Sequence, residues 1–103
     1  MMETQKLMCA PGVFESLDHG KEVTIRKGIR DIQLGKLIFE NTDTHEQAYV
    51  WIDYVIYCIL ELVPEEMYVL NGFKDYDDML IQMKEFYPDI TGKTEVTVVV
   101  FYR

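Results

Sequence analysis

Serine is almost missing from this chain: Ser16 stands alone. A serine–histidine–aspartate hydrolase therefore has no signature to rest on. Cysteine is nearly as scarce, and Cys9 and Cys58 show neither metal nor redox spacing. Cys58 lies in an apolar run and reads as a buried thiol, with Cys9 a second candidate for that role. The two histidines, His19 and His45, have no partner at ligand spacing, so they read as solvent-facing loop residues and no metal or cofactor is expected. Gly20, Gly28 and Gly35 are too scattered for a phosphate-binding loop or a dinucleotide fingerprint. Basic residues number 10 against 18 acids, a net charge of -8, which argues against non-specific binding of duplex DNA or RNA. A bilayer-spanning segment is lacking too. The most apolar run, AYVWIDYVIYCILELV, is broken by Asp53 and Glu61 and falls short of the ~18 uncharged residues a crossing needs. The opening MMETQKLMCA has no basic start followed by an apolar stretch. The expectation is a soluble protein in a reducing, cytoplasmic setting, without a membrane partner.

What is present is enough to build a core. Of 103 residues, 49% are hydrophobic and 13% aromatic, which fits one folded domain over residues 1–103. The scarce positive charge is concentrated. Residues 21–36 hold Lys21, Arg26, Lys27, Arg30 and Lys36 against Glu22 and Asp31, a local +3 that leaves -11 for the rest. One positive patch on a negative body suits a small anionic or polar ligand better than a long polyanion.

Along the chain, QKLMCA reads as a first strand ended by Pro11 and Gly12. VFESLDHG reads as one or two helical turns stopped by Gly20. EVTIRKG is a β-branched strand, GIRDIQLGK a loop turning at Leu34-Gly35-Lys36, and KLIFEN a further strand. NTDTHEQ is a turn joining two strands. Residues 48–63 carry both signals: β-branched and aromatic content favours one long strand or two joined by a bend, whereas Asp53, Tyr57 and Glu61 recur at helical spacing. The composition decides for strand. Pro64-Glu65-Glu66 starts a helix that Asn71-Gly72 stops. Asp75 caps a second helix with apolar positions Tyr76, Met79, Leu80, Met83 and Phe86 or Tyr87, ended by Pro88. TEVTVVVFY is a buried final strand. Helices and strands do not alternate, so an α+β fold is expected: a small mixed β-barrel of about five or six strands with two or three short helices packed on it.

Three residue groups can carry chemistry. Glu65 and Glu66 can serve as general acids or simply stabilise a helix N-terminus. Tyr49, Trp51, Tyr54 and Tyr57 can stack on a base, or fill a core; at strand spacing Tyr49 and Trp51 share one face and Tyr54 the other. Lys21, Thr24 and Arg26 can form an anion or amide site, since a hydroxyl both donates and accepts and a guanidinium offers a planar fork of donors. Thr24 can also act as a nucleophile if a base takes its proton. The plain alternative is an edge strand guarded by lysines.

The ordered pieces resemble the ASCH domain family, a branch of the PUA-like β-barrel superfamily, from about Phe14 to Phe101. A helix ending in glycine leads into K-x-V-T-I-R at Lys21 to Arg26. Gly35-Lys36-Leu37-Ile38 follows, then a long hydrophobic strand and a helix beginning P-E-E. After these come Gly72, Phe73, Tyr76 and Met79 of a G-F-x-x-Y-x-x-M piece, Phe86-Tyr87-Pro88, and the final V-x-V-V-V-F strand. The resemblance implies a cleft lined by the Lys-Thr-Arg strand and a nucleoside or single-stranded RNA as ligand. A small bacterial branch that it resembles hydrolyses N(4)-acetylcytidine. There the resemblance implies that Lys21 activates Thr24, Thr24 attacks the acetyl carbonyl and Arg26 orients the base or the oxyanion. That branch has a glutamate directly before the G-F pair, where this chain has Asn71, which can hydrogen-bond but cannot act as an acid. Glu65, Glu66 or Glu22 would have to substitute. The leading expectation is a binding domain using Lys21, Thr24, Arg26 and Asn71. The alternatives are an amidohydrolase on Lys21 and Thr24, or an acidic protein-interaction or inhibitor module.

Overall fold

The computed structural model describes residues 5–17 and 22–103. Lys21, His19 and the helix-stopping Gly20 lie outside the described residues. The elements run β1 (Gln5–Cys9), α1 (Pro11–Ser16), β2 (Val23–Lys27), β3 (Gly35–Asn41), β4 (Gln47–Ile59), a 3-10 turn (Leu60–Leu62), α2 (Glu65–Leu70), α3 (Tyr76–Phe86) and β5 (Glu95–Tyr102). The expected α+β architecture is present: one curled, mixed five-stranded sheet with three helices.

The strands are ordered β1-β3-β4-β5-β2, with β1 parallel to β3 and every other pair antiparallel. Strand β2 is therefore an edge, as is β1. The sheet curls until these edges approach each other, and Arg26 on β2 donates from Nη1 to the carbonyl of Met8 on β1 at 2.7 Å. A side chain thus spans the seam that backbone pairing leaves open.

Residues 47–59 form one strand, which settles the ambiguity over 48–63. Its first half alternates exposed and buried positions, with Ala48, Val50 and Ile52 turned inward. The register then slips between Ile52 and Tyr54, a bulge at Asp53. The slip corrects the expectation that Tyr54 faces away from Trp51. Trp51 pairs with Tyr102 and Tyr54 with Val100, two positions apart on β5 and hence on one face. The aromatics are also not core. Tyr49 is 51% exposed and Trp51 46%, while Tyr54, Tyr57 and Tyr102 are exposed as well. Lys36, one strand over, lies 4.2 Å from the Tyr49 ring centre.

Two apolar layers result. Leu7, Leu37, Phe39, Val50, Val99 and Phe101 fill the concave face, with Val13 and Phe14 of α1 packed against them. On the other face Val23, Ile25, Val96 and Val98 meet Met67 of α2 and Met79 and Met83 of α3. Cys9 is buried in the first layer, whereas Cys58 is only half-buried beside the second, less enclosed than its apolar neighbours suggest. Helix α1 begins at Pro11 rather than Val13, because proline is accommodated in a first turn whose N–H groups have no helical partner. Asp75 caps α3 as expected, accepting from Asp78 N at 2.8 Å. No helix among the described residues is long and apolar enough to cross a membrane.

Candidate functional site

Strand alternation decides what β2 presents to each layer. Val23 and Ile25 enter the helix-covered layer, while Thr24 and Arg26 point to the concave face beside Val99 and Thr97. Glu22 is exposed. Thr24 is 4% exposed and Arg26 half-buried. The Arg26 Nε donates to Thr24 Oγ1 at 3.2 Å, and its guanidinium lies 5.8 Å from the Phe39 ring centre. Burial pulls the Arg26 pKa below its ordinary value, partly opposed by the Tyr87 phenol and the Cys9 thiol nearby. The group nevertheless remains a cation at any physiological pH.

Above this wall opens a cleft of about 670 Å³. Its floor is β2 with Thr24 and Arg26, and one side is the end of β1 with α1, including Met8, Val13 and Ser16. The opposite side is built by the α2–α3 junction and α3. Gly72, at φ 102°, ends α2 in the left-handed region that glycine adopts without strain, and the returning chain sets Phe73 into the cleft wall. Gln82, Met83, Phe86 and Tyr87 complete that wall. A concave, mostly apolar cavity of this size with a few convergent polar groups is the usual form of a small-ligand site.

Asn71, the C-cap residue of α2, also lines the cleft. Its Oδ1 is buried without a hydrogen-bond partner among the described residues. A polar atom in that condition carries an uncompensated desolvation cost of roughly 1–3 kcal/mol. Thr24, Arg26 and Asn71 are thus gathered on one cavity, although 45 residues separate Arg26 from Asn71 in sequence. Glu65 and Glu66 are not. They are exposed in the first turn of α2, about 7–9 Å of helix rise from Asn71, and neither lines the cleft. Among the described residues no side chain stands within hydrogen-bond reach to take the Thr24 proton, and no carboxylate lines the cavity. No three-residue metal-binding cluster occurs among the described residues. His45 lies on the exposed turn after β3, at φ 62°.

Phe73, Phe86 and Tyr87 were legible as pieces of the family resemblance, and Phe86 or Tyr87 as an apolar helix position, but not as cavity wall. Their role as cavity wall depends on where α3 lands on the sheet, which periodicity does not encode.

In sequence the chain matches no protein-family profile and no curated protein. In three dimensions it is similar to ZmASCH from Zymomonas mobilis. A crystal structure of a serine-to-alanine mutant of that protein superposes with a TM-score of 0.71 at 10% identity, covering 95% of this chain and 66% of that one. A tyrosine-to-phenylalanine mutant superposes at 0.67 and 13% identity, covering 95% and 68%. The fold is that of an ASCH domain. At so low an identity the likeness carries the arrangement of strands and helices. The chemistry of the cleft rests on this chain's own residues. The chain spans about two thirds of the length of the ZmASCH chains.

Proposed function

We propose that this chain is an ASCH-type binding domain that recognises a nucleoside, nucleotide or single-stranded RNA element in the cleft between β2 and α3. Lys21, Thr24, Arg26 and Asn71 are its ligand-binding residues. The observation that carries the reading is the convergence of Thr24, Arg26 and Asn71 on a single cavity walled by Phe73, Phe86 and Tyr87. Flat aromatic walls receive a base by stacking, and a guanidinium and an amide can read its edge. The net charge of -8 keeps the ligand small, because a long polyanion would meet an acidic surface beyond the cleft mouth.

A second reading, hydrolysis of an N(4)-acetylcytidine-like amide, is favoured by the Thr24 hydroxyl lying in the cleft beside a cation able to stabilise an oxyanion. It needs Lys21 as base, and no carboxylate lines the cleft among the described residues.

A thermal-shift screen against natural and modified nucleosides tests both. Binding should raise the melting temperature, and Arg26→Ala and Lys21→Ala should abolish that rise; Arg26→Ala should also lower the ligand-free melting temperature, because its bond to the Met8 carbonyl spans the seam. Identical melting curves with and without every nucleoside would sink the binding reading. Acetate release from N(4)-acetylcytidine, lost in Thr24→Ala, would select the hydrolytic one.

A further inference from the structure

The cleft contains an imbalance of charge. Arg26 is the only charged side chain among the described residues that line it, and no aspartate or glutamate shares the cavity, although acids outnumber bases 18 to 10 in the chain. Among the described residues, the groups Arg26 touches are neutral: the Thr24 hydroxyl, the Met8 carbonyl and the Phe39 ring. The ionisable groups that act on its charge are the Tyr87 phenol, the Cys9 thiol and a like charge, Arg30, with no carboxylate among them. These contacts engage two of the five guanidinium N–H donors. A cation drawn into an apolar cavity without a counter-charge is costly, and proteins ordinarily pair it.

From this geometry we infer that the ligand itself supplies the counter-charge: the cleft takes a molecule with an anionic group, phosphate or carboxylate, seated on Arg26 and a flat apolar body against Phe73, Phe86 and Tyr87. The inference rests on the small-ligand reading of this cleft and narrows it, from nucleosides at large to nucleotides or flat aromatic acids. Guanidinium is suited to the task, since its fork binds either oxyanion through two parallel hydrogen bonds.

The test uses four probes on the intact protein, followed by calorimetry: cytidine, cytidine 5′-monophosphate, benzoate and inorganic phosphate. Cytidine 5′-monophosphate should bind at least about tenfold tighter than cytidine, a difference of ~1.4 kcal/mol. That advantage should shrink as salt is raised. Arg26→Met should remove it, leaving both probes at the affinity of neutral cytidine, while Arg26→Lys should keep part of it. Inorganic phosphate should bind weakly, lacking the flat body. Cytidine binding as tightly as its monophosphate would overturn the inference and leave the nucleoside reading standing. Benzoate binding, with both cytidine probes silent, would uphold the anion site and overturn the nucleoside reading. Silence from all four would overturn both. The wild-type comparison needs no variant, so it decides the matter even if Arg26→Met fails to fold.

Discussion

Two charges flank Phe39, Glu40 on the outer face of β3 and Arg26 over the Phe39 ring on the concave side, and the protein treats them oppositely. At one corner, Glu40 of β3 is buried, and its carboxylate is surrounded by partners. Gln47 donates to Oε1 at 2.9 Å, Lys6 approaches the same oxygen at 3.3 Å, and His45 Nδ1 lies 3.3 Å from Oε2. The hydrogen bonds from Gln47 and His45, with Lys6 behind them, hold its pKa down to about 2. In the cleft, Arg26 has neutral partners alone among the described residues. A charge answered from every side serves the fold, tying β1, β3 and the β3–β4 turn together. A charge left unanswered in a cavity is available to something that is not part of the chain. Phe39 links the two regions, next to Glu40 in sequence and 5.8 Å below Arg26 in space.

Removing that link gives the largest effect. Phe39 is fully buried, and its ring centre lies 5.2 Å from that of Phe101. Phe39→Ala should cost about 3–5 kcal/mol in urea unfolding, as large-to-small changes in a packed core do. A loss under about 1 kcal/mol would mean that the concave layer is not the main core, and the contrast drawn on it would fail.

Next comes the residue opposite Arg26 on β5. Thr97 is fully buried, yet it is answered as completely as Glu40. Its hydroxyl donates to the Gly28 carbonyl at 2.7 Å and accepts from Arg30 N at 2.8 Å, and Tyr57 Oη holds the Arg30 carbonyl at 2.8 Å. Together they fasten the 28–34 loop to the sheet. Thr97→Val keeps the shape and orphans two backbone groups, so it should cost about 1–3 kcal/mol. A change within about 0.5 kcal/mol would show that water replaces the hydroxyl and that burial there is not decisive.

The Glu40 corner makes a prediction in pH. Its folded pKa of about 2 lies below the ordinary 4.5 of an unfolded chain, so its contribution is complete above pH 4.5 and is lost as pH falls toward 2. Glu40→Gln should therefore melt below the wild type at neutral pH, with the gap closing through that window. A gap that stays constant down to pH 2 would assign the effect to shape rather than charge, and the contrast with Arg26 would lose its electrostatic basis.

How much of this could be read from the sequence depends on which interactions are local. The strand Val23–Lys27, the Asp75 cap and the Asn71-Gly72 stop are set by residues within a few positions of one another, and they stand where the pattern placed them. So does the shared face of Thr24 and Arg26, since alternation within one strand needs no tertiary knowledge. The bulge at Asp53 was not legible, because register is a property of two strands; missing it put Tyr54 on the wrong face. The exposure of Tyr49 and Trp51 depends on how far the helices reach across the sheet, and they stop short of its β3 side. Glu65 and Glu66 were candidates by residue type, and only the direction of α2 shows that its far end, with Asn71, meets the cleft. The Glu40 cluster was invisible as well, because Lys6 reaches it across 34 residues.

The smallest effect should come from the cation adjacent to Arg26. Lys27 points to the opposite face of β2 and meets Asp89 at 2.7 and 2.8 Å, and that contact holds the Asp89 carboxyl below its ordinary pKa. Both side chains reach solvent, where an ion pair gains little over hydration and is screened by salt. Lys27→Gln should shift the melting temperature less than Thr97→Val does, and any shift should vanish at high salt. It should leave the affinity for cytidine 5′-monophosphate unchanged, because the Lys27 charge is already answered and lies outside the cleft. If Lys27→Gln weakened that affinity as much as Arg26→Met, the phosphate would be responding to the general positive field of residues 21–36 rather than to one unanswered guanidinium. The distinction between a charge used by the fold and a charge kept for a ligand would then not apply to this strand.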